Sequence, residues 1–395
     1  ERPRGGCGGV RVLLIWHGAA GLRYPERLEA LASSGLELTL VTPRRWIHPE
    51  GRCVTPPVRG RGYEVVPLPV LWPRHGALYA YAGGLPSVLK RVQPDVVHIH
   101  EEPYALSTAQ AMAVARLLAP RAAIVVEAWQ NLVKSFPPPF RWIERWVLRR
   151  ADGFIAGNED VRKVLRHKGA AAPIHVVPLA VSPQRFRRVP RDGLRRELAG
   201  TSSFLVGYVG RLDAAKGVDL LLRAAAGEER WSVVVIGAGP DAPRLQRVAR
   251  ALGIRERVRF TGPVSQDALP RYLSSLDVLV LPSVSTPRWV EQFGRVLVEA
   301  MACEVPVVGS SSGEIPRVIA DAGLVFPEGD VSALHRCLAR LQSDPSLAAV
   351  LAARGLARVR EHFTWERVAQ LTLNAYRHAI HRRRGETRLV SGSSA

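Results

Sequence analysis

The chain alternates between two kinds of segment. Short β-branched, apolar runs are separated by longer stretches of helical periodicity, and the alternation breaks once and then restarts. Apolar runs without internal polar alternation read as strands buried on both faces, and helices between them make those strands parallel. Strands are expected at VRVLLIW, LELTLVT, YEVVPLP, DVVHIHE, AAIVVEA, GFIAG and IHVVP, then at FLVGYVG, SVVVIGAG, VRFTG, DVLVLPS, VPVVGS and GLVFP. The expected fold is α/β, with two doubly wound Rossmann-like domains. The first domain is placed at residues 10–182 and the second at 201–364. A polar, Arg-rich, Pro-containing linker is expected at 183–200. An amphipathic C-terminal helix at 365–384 is read as packing back on the first domain, and residues 1–9 and 385–395 as disordered ends. Ligands of such sheets bind beyond the carboxyl ends of the strands, so two facing sheets would share one cleft.

The net charge of +20 invites a nucleic-acid reading, but its texture argues against one. Lysine occurs only at Lys90, Lys134, Lys163, Lys168 and Lys216, and the many arginines are scattered rather than gathered. No nucleic-acid partner is expected, although a basic surface suits anionic lipid or phosphate-rich ligands. Cys7, Cys53, Cys303 and Cys337 lie far apart without zinc-type spacing, as in a reduced, cytoplasmic protein. No apolar run reaches the roughly 18 residues of a membrane span. The start ERPRGGCGG has no apolar core and does not read as a signal peptide.

The stretch EQFGRVLVEAMA sets Glu291 and Glu299 on either side of a helix start. Gly294 permits close backbone approach, and the first amides of the helix point their unpaired N–H groups and the positive dipole end at whatever lies before them. Such an end, with Arg295 in its first turn, suits a diphosphate. Glu299 can accept two hydrogen bonds from a vicinal diol, and Glu291 the hydroxyls of a sugar. The spacing alone equally allows a surface helix carrying an Arg295–Glu299 i,i+4 pair. A second element, VGYVGRLDAAKG, presents Arg211 and Lys216 after Gly210 in a strand-to-helix loop, where they can clamp a diphosphate.

The motifs GRLDAAKG, EQFGRVLVEAMACEVPVV and GEIPRVI resemble those of the retaining glycosyltransferases of family 4, which have the GT-B fold. The pieces PDVVHIHE, ADGFIAGNE, FTGPVS and GLVFPEGD extend the resemblance over nearly the whole chain. It implies a nucleotide diphosphate sugar held by the second domain. Glu299 would hold the ribose and Glu291 the donor sugar. The amides near Phe293 and Gly294, with Arg211 and Lys216, would hold the diphosphate, and the backbone near Val264 would meet the base. Glu291, Arg211 and Lys216 would be the catalytic set. The acceptor, of unspecified identity, would lie on the first domain.

The family often carries a histidine after its fifth N-terminal strand. Here IVVEAWQNLVK has Trp129 in that place. Retaining transfer needs little from a side-chain base if the departing diphosphate takes the acceptor's proton. Trp129 is then either a wall of the sugar site or a core residue, with Gln130 and Asn131 orienting hydroxyls. HIHEEPYAL puts His98 and His100 on one strand face, with His98 read as structural and His100 and Glu101 at the ligand end. His17 and Gly18 close the first strand and can approach donor or acceptor.

Other chemistries have weaker support. Gly237 and Gly239 lack the acid of a dinucleotide site about 20 residues on, and read as a tight turn. No two aspartates are spaced two apart, so the DxD metal signature is missing, and neither metal nor cofactor is expected. Sugar phosphorylase, sugar-nucleotide epimerase and an inactive nucleotide-binding partner subunit remain alternatives. In SFPPPFRWIERWVLRRADG, Trp142 and Trp146 share a helix face beside Arg141, Arg145 and Arg149. That face either packs Trp146 and Val147 on the sheet or meets an anionic membrane from its inner side.

Overall fold

Every expected strand pairs in one of two wholly parallel sheets. The computed structural model describes residues 9–21, 25–48, 51–57, 59–190, 192–200 and 202–392. The first sheet holds β1 (Arg11–Ile15), β2 (Glu37–Pro43), β3 (Glu64–Leu68), β4 (Val96–Ile99), β5 (Ala123–Ala128), β6 (Gly153–Ala156) and β7 (Ile174–Val176). Their order is β7-β6-β5-β4-β1-β2-β3. The second holds β8 (Phe204–Val209), β9 (Trp231–Ile236), β10 (Val258–Gly262), β11 (Val278–Leu281), β12 (Val307–Ser310) and β13 (Leu324–Phe326), in the order β10-β9-β8-β11-β12-β13. Helices cover both faces, which is why Val12 to Ile15, Val96 to Ile99 and Val278 to Leu281 are buried without alternation. Two short antiparallel ladders, Trp46–Ile47 with Cys53–Val54 and Val70–Leu71 with Ala80–Tyr81, went unforeseen because two-residue strands leave no periodicity.

Each order reverses beside its first strand, between β1 and β4 and between β8 and β11. This is the switch point at which open α/β sheets bind ligands. The loops there are those that follow β1 and β4 (His17, Gly18, His100, Glu101) and β8 and β11 (Arg211, Lys216, Glu291).

The chain divides into two units, Glu1–Pro178 with Trp365–Ala395, and Leu179–Thr364. The segment 183–200 is not a free linker. Asp192–Ala199 is a helix, and Leu194, Leu198 and Ala199 belong to the second unit's core. The C-terminal helix Trp365–Gly392 lies in the first unit, with Val368, Ala369, Ala375, Tyr376 and Ala379 buried against it. It runs past the point where a disordered tail was expected at 385. Residues 1–8 and 393–395 lie outside the described residues.

Candidate active site

In the second unit the site is built by loops that need glycine to approach each other. At Gly237 a Cβ would fall 1.9 Å from the Gly210 carbonyl oxygen, and at Gly239 it would fall 2.1 Å from that of Leu212. The turn after β9 therefore packs flat under the loop after β8, and the Gly210 and Leu212 amides donate to Ile236 and Ala238 at 3.0 and 2.9 Å. This accounts for the glycines without a dinucleotide, because protein backbone fills the approach. The Tyr208 hydroxyl donates to the Arg211 carbonyl at 2.7 Å and pins the loop from below. The Arg211 guanidinium itself is exposed, 3.5 Å from Asp213.

The chain then makes a 3-10 turn, Ala214–Lys216, closed by Gly217 at φ +60°. A side chain there would meet the Pro282 carbonyl oxygen at 2.1 Å, so only glycine lets this turn lie on the end of β11. The Val284 amide donates to Ala215 at 2.8 Å and fixes the contact. The result brings Lys216 Nζ within 2.7 Å of Glu291 Oε2. Ser283 Oγ donates to the same carboxylate oxygen at 2.9 Å, and the Trp289 ring lies under the ammonium at 4.4 Å. The Glu314 amide holds the Glu291 carbonyl at 3.1 Å. Glu291 is thus fixed by both side chain and backbone and is buried.

Gly294 begins the helix Arg295–Ala302 at φ +76°. The helix is buried from Val296 through Ala302, Glu299 included at 4% exposure. That excludes the surface-helix reading of the glutamate pair. Phe293 sends its ring into the core, edge-on to Phe363, so only its backbone is available to a ligand. Val264 follows β10 and is half-buried.

In the first unit, His17 is fixed by Glu101. The carboxylate accepts from the His17 amide at 2.7 Å, lies 2.6 Å from Nδ1, and accepts from the Tyr79 hydroxyl at 2.7 Å. Burial alone would lower the His17 pKa, but the charge and hydrogen bond of Glu101 outweigh it and raise it. Glu101 is therefore a buried orienting group rather than a ligand contact, and the ring it holds is partly open. Gly18 is exposed beside it, and a Cβ there would meet the Trp16 indole at 2.6 Å.

Behind this lies a cluster that the sequence did not reveal. Glu127, on β5, is fully enclosed. Arg27 Nη2 donates to its Oε2 at 2.5 Å, while His98 Nε2 and His100 Nδ1 lie 3.1 and 3.4 Å from the same oxygen. Burial would raise the Glu127 pKa, but Arg27 and the two histidines outweigh it and hold it well below the usual range. His98 also meets the Tyr376 hydroxyl at 2.8 Å, which supports its structural reading. His100 stands at the carboxyl end of β4 as expected, but its side chain is nearly enclosed rather than open to a ligand. It stacks on Trp16 with centroids 4.5 Å apart, and burial holds its pKa well below the ordinary histidine value. Trp129 donates through Nε1 to Glu127 at 3.0 Å, so it is neither purely core nor a free wall. Its backbone amide binds Glu102 at 2.9 Å. Gln130 is half-buried and Asn131 buried. Arg27 gave one hint in sequence: it falls four residues before Leu31 on the buried side of its helix. Among the described residues no cluster of His, Cys, Asp or Glu is arranged to hold a metal ion, and no helix is long and apolar enough to cross a membrane.

The profile described as Glycosyl transferases group 1 matches residues 193–358, and that described as Glycosyl transferase 4-like domain matches residues 18–180. A D-inositol 3-phosphate glycosyltransferase of Streptomyces bingchenggensis is 31% identical over 369 residues, covering 85% of this chain and 76% of the relative. Two solved structures share the fold. Sucrose-phosphate synthase from Thermosynechococcus elongatus has a TM-score of 0.68 at 20% identity, covering 93% of this chain and 98% of its own. HepE from Anabaena, in complex with UDP-glucose, has a TM-score of 0.67 at 18% identity, covering 92% and 98%. The chain belongs to the family 4 glycosyltransferases of the GT-B fold. It is a transferase of glycosyl groups.

Proposed function

We propose that the chain transfers a sugar from a nucleotide diphosphate donor to an acceptor hydroxyl, with retention at the anomeric carbon and without a metal ion. The observation that carries this reading is the Lys216–Glu291–Ser283 constellation at the end of β11, next to the glycine-opened helix that buries Glu299. An ammonium has three donors and Glu291 takes one, leaving the others for a diphosphate oxygen. Lys216, Arg211 and the first amides of the Arg295–Ala302 helix stabilise the negative charge that develops on the leaving group. This is work that a metal ion does elsewhere. The second oxygen of Glu291 orients the donor sugar, and Glu299 holds the ribose diol.

In the transfer, the acceptor oxygen bonds to the anomeric carbon. The bond to the diphosphate breaks with its electron pair on the diphosphate, and the acceptor proton passes to a diphosphate oxygen. No side-chain base is needed, consistent with Trp129 standing where family members carry a histidine. The first unit presents the acceptor, with His17, oriented by Glu101, beside Gly18. HepE binds UDP-glucose and the relatives are named for inositol 3-phosphate, so UDP-sugars and a phosphorylated polyol are the first donor and acceptor to test. An anionic acceptor of that kind suits the raised pKa of His17.

The test is a panel of nucleotide diphosphate sugars with inositol phosphates and other polyols, in EDTA, followed by mass spectrometry. Glycoside with free nucleoside diphosphate supports the reading. Sugar phosphate or isomerised donor shows a phosphorylase or an epimerase instead. Activity that appears only on adding Mg²⁺ or Mn²⁺ removes the metal-independent part.

A further inference from the structure

The helix Phe140–Arg150 has a face that its own unit leaves open. Val147 and Leu148 fill its buried side, while Trp142 is 61% and Trp146 37% exposed. Of the two readings of this face, packing of Trp146 on the sheet beside Val147 is not what the structure shows, because Leu148 takes that place. Indoles one turn apart on a helix form a contiguous exposed apolar patch, and patches of that kind mark interaction surfaces where they grow large. Arg141, Arg145, Arg149 and Arg150 are exposed on the same helix, and their guanidinium groups make no ion pair among the described residues. The only acid on the helix, Glu144, is held by Lys168 at 2.6 Å and does not answer them.

The charge continues past the end of the helix. Trp146, Arg149 and Arg150 line a cavity of about 550 Å³ together with Arg382, Arg383 and Arg116, and of these Arg116 is answered from behind by Asp152 at 2.8 Å. It sits just before β6, at the amino edge of the first sheet, away from the strand ends that carry His17 and Glu101. Like charges gathered round a cavity raise its potential, and an entering anion relieves the repulsion. The site chemistry plays no part in explaining this surface.

The geometry points to a membrane seat. The open face of Phe140–Arg150 lies on an anionic bilayer, with Trp142 and Trp146 at headgroup depth and the arginine cavity taking a lipid phosphate. Indoles prefer the interface between water and hydrocarbon, where ring and N–H each find their medium, and arginines beside them meet the negative surface. A rigid helix with aromatic and cationic residues side by side fits a layer of headgroups. The seat concerns where the enzyme sits and does not depend on the donor or acceptor it uses.

Co-sedimentation with vesicles of phosphatidylcholine alone, and of phosphatidylcholine with phosphatidylglycerol, tests it. The full chain should pellet with the anionic vesicles at low salt, stay in solution with the neutral ones, and be released as salt is raised. Arg145→Ala and Arg149→Ala should each lower the partition coefficient about fivefold. Trp142→Ala with Trp146→Ala should lower it further. All four residues are exposed, so melting temperature and transfer to a soluble acceptor should not change, which keeps a failure of this seat distinct from a failure of the transferase reading. Inorganic phosphate at matched ionic strength should not displace the bilayer. Absence of binding to anionic vesicles at low salt overturns the proposal. So does binding indifferent to these substitutions, displacement by phosphate alone, or tight binding to a single-stranded oligonucleotide in place of vesicles.

Discussion

Lys216 meets Glu291 at 2.7 Å although 75 residues separate them, and two different strands, β8 and β11, deliver them to the same point. The pair forms because Gly217 lets one loop lie directly on the other. It is partly buried, which shapes what its removal should do.

Arg211→Ala should lower turnover on the order of a hundredfold while leaving melting temperature unchanged, because its guanidinium is exposed. Lys216→Ala should lower turnover at least as much. It should also destabilise by about 1–3 kcal/mol, since Glu291 is left buried without its cation. Lys216→Met combined with Glu291→Gln should regain the stability and not the activity. Steady-state kinetics alongside thermal melts separate these effects, and a single variant with normal turnover removes that residue from the mechanism.

Glu299→Ala should weaken nucleotide diphosphate binding by roughly ten- to a hundredfold, the worth of hydrogen bonds to a charged group. Glu299 is buried, so circular dichroism must first show an intact fold. Titration calorimetry with UDP then reads the effect, and unchanged affinity would assign the diol elsewhere.

Most strands were legible because parallel strands buried on both faces read as continuous apolar runs, as β1 from Val12 and β11 do, whereas edge strands such as β10, with Arg259 exposed, are less regular. The site loops were legible because Arg211, Lys216, Glu291 and Glu299 stand at strand ends and around one helix. What stayed hidden has a common cause. Arg27 lies in PERLEALASSG, where a charged residue in an amphipathic helix reads as solvated, and Glu127 reads as a polar interruption near the end of a strand. Only folding brings the two together, because their pairing is long-range and carries no local pattern. The helix Asp192–Ala199 was hidden by its arginines, with only Leu194 and Leu198 marking a buried side. Exposure of Trp146 turned on whether Leu148 or the indole filled the sheet side, which periodicity cannot decide.

The Glu127 cluster should hold the first unit together. Arg27→Met should destabilise by about 3–5 kcal/mol, the cost of leaving a buried carboxylate without its partner. Denaturant melts read this directly. A loss under about 1 kcal/mol would mean that His98 and His100 neutralise Glu127 without help.

Glu102 should make stability depend on pH. Its Oε2 is buried without a hydrogen-bond partner, and burial pushes its pKa from 4.5 up to about 7. The fold favours the protonated form. The contribution is therefore fully present below about pH 4.5, fades as pH rises, and is gone above about 7, a difference of about 3 kcal/mol. Thermal melts of the wild type should fall across that window relative to Glu102→Gln, which cannot titrate. Parallel curves would place Glu102 in contact with water.

Retention and the role of Lys216 meet in the anomeric outcome of a single transfer. Proton NMR of the first product formed in EDTA, from the nucleotide sugar that the panel identifies, reads configuration before any later step can change it. Retaining transfer by this site gives a glycoside with the donor's own anomeric configuration and one nucleoside diphosphate released per glycoside, formed at least about a hundredfold more slowly by Lys216→Ala. An inverted product, or transfer that survives Lys216→Ala unchanged, would contradict it.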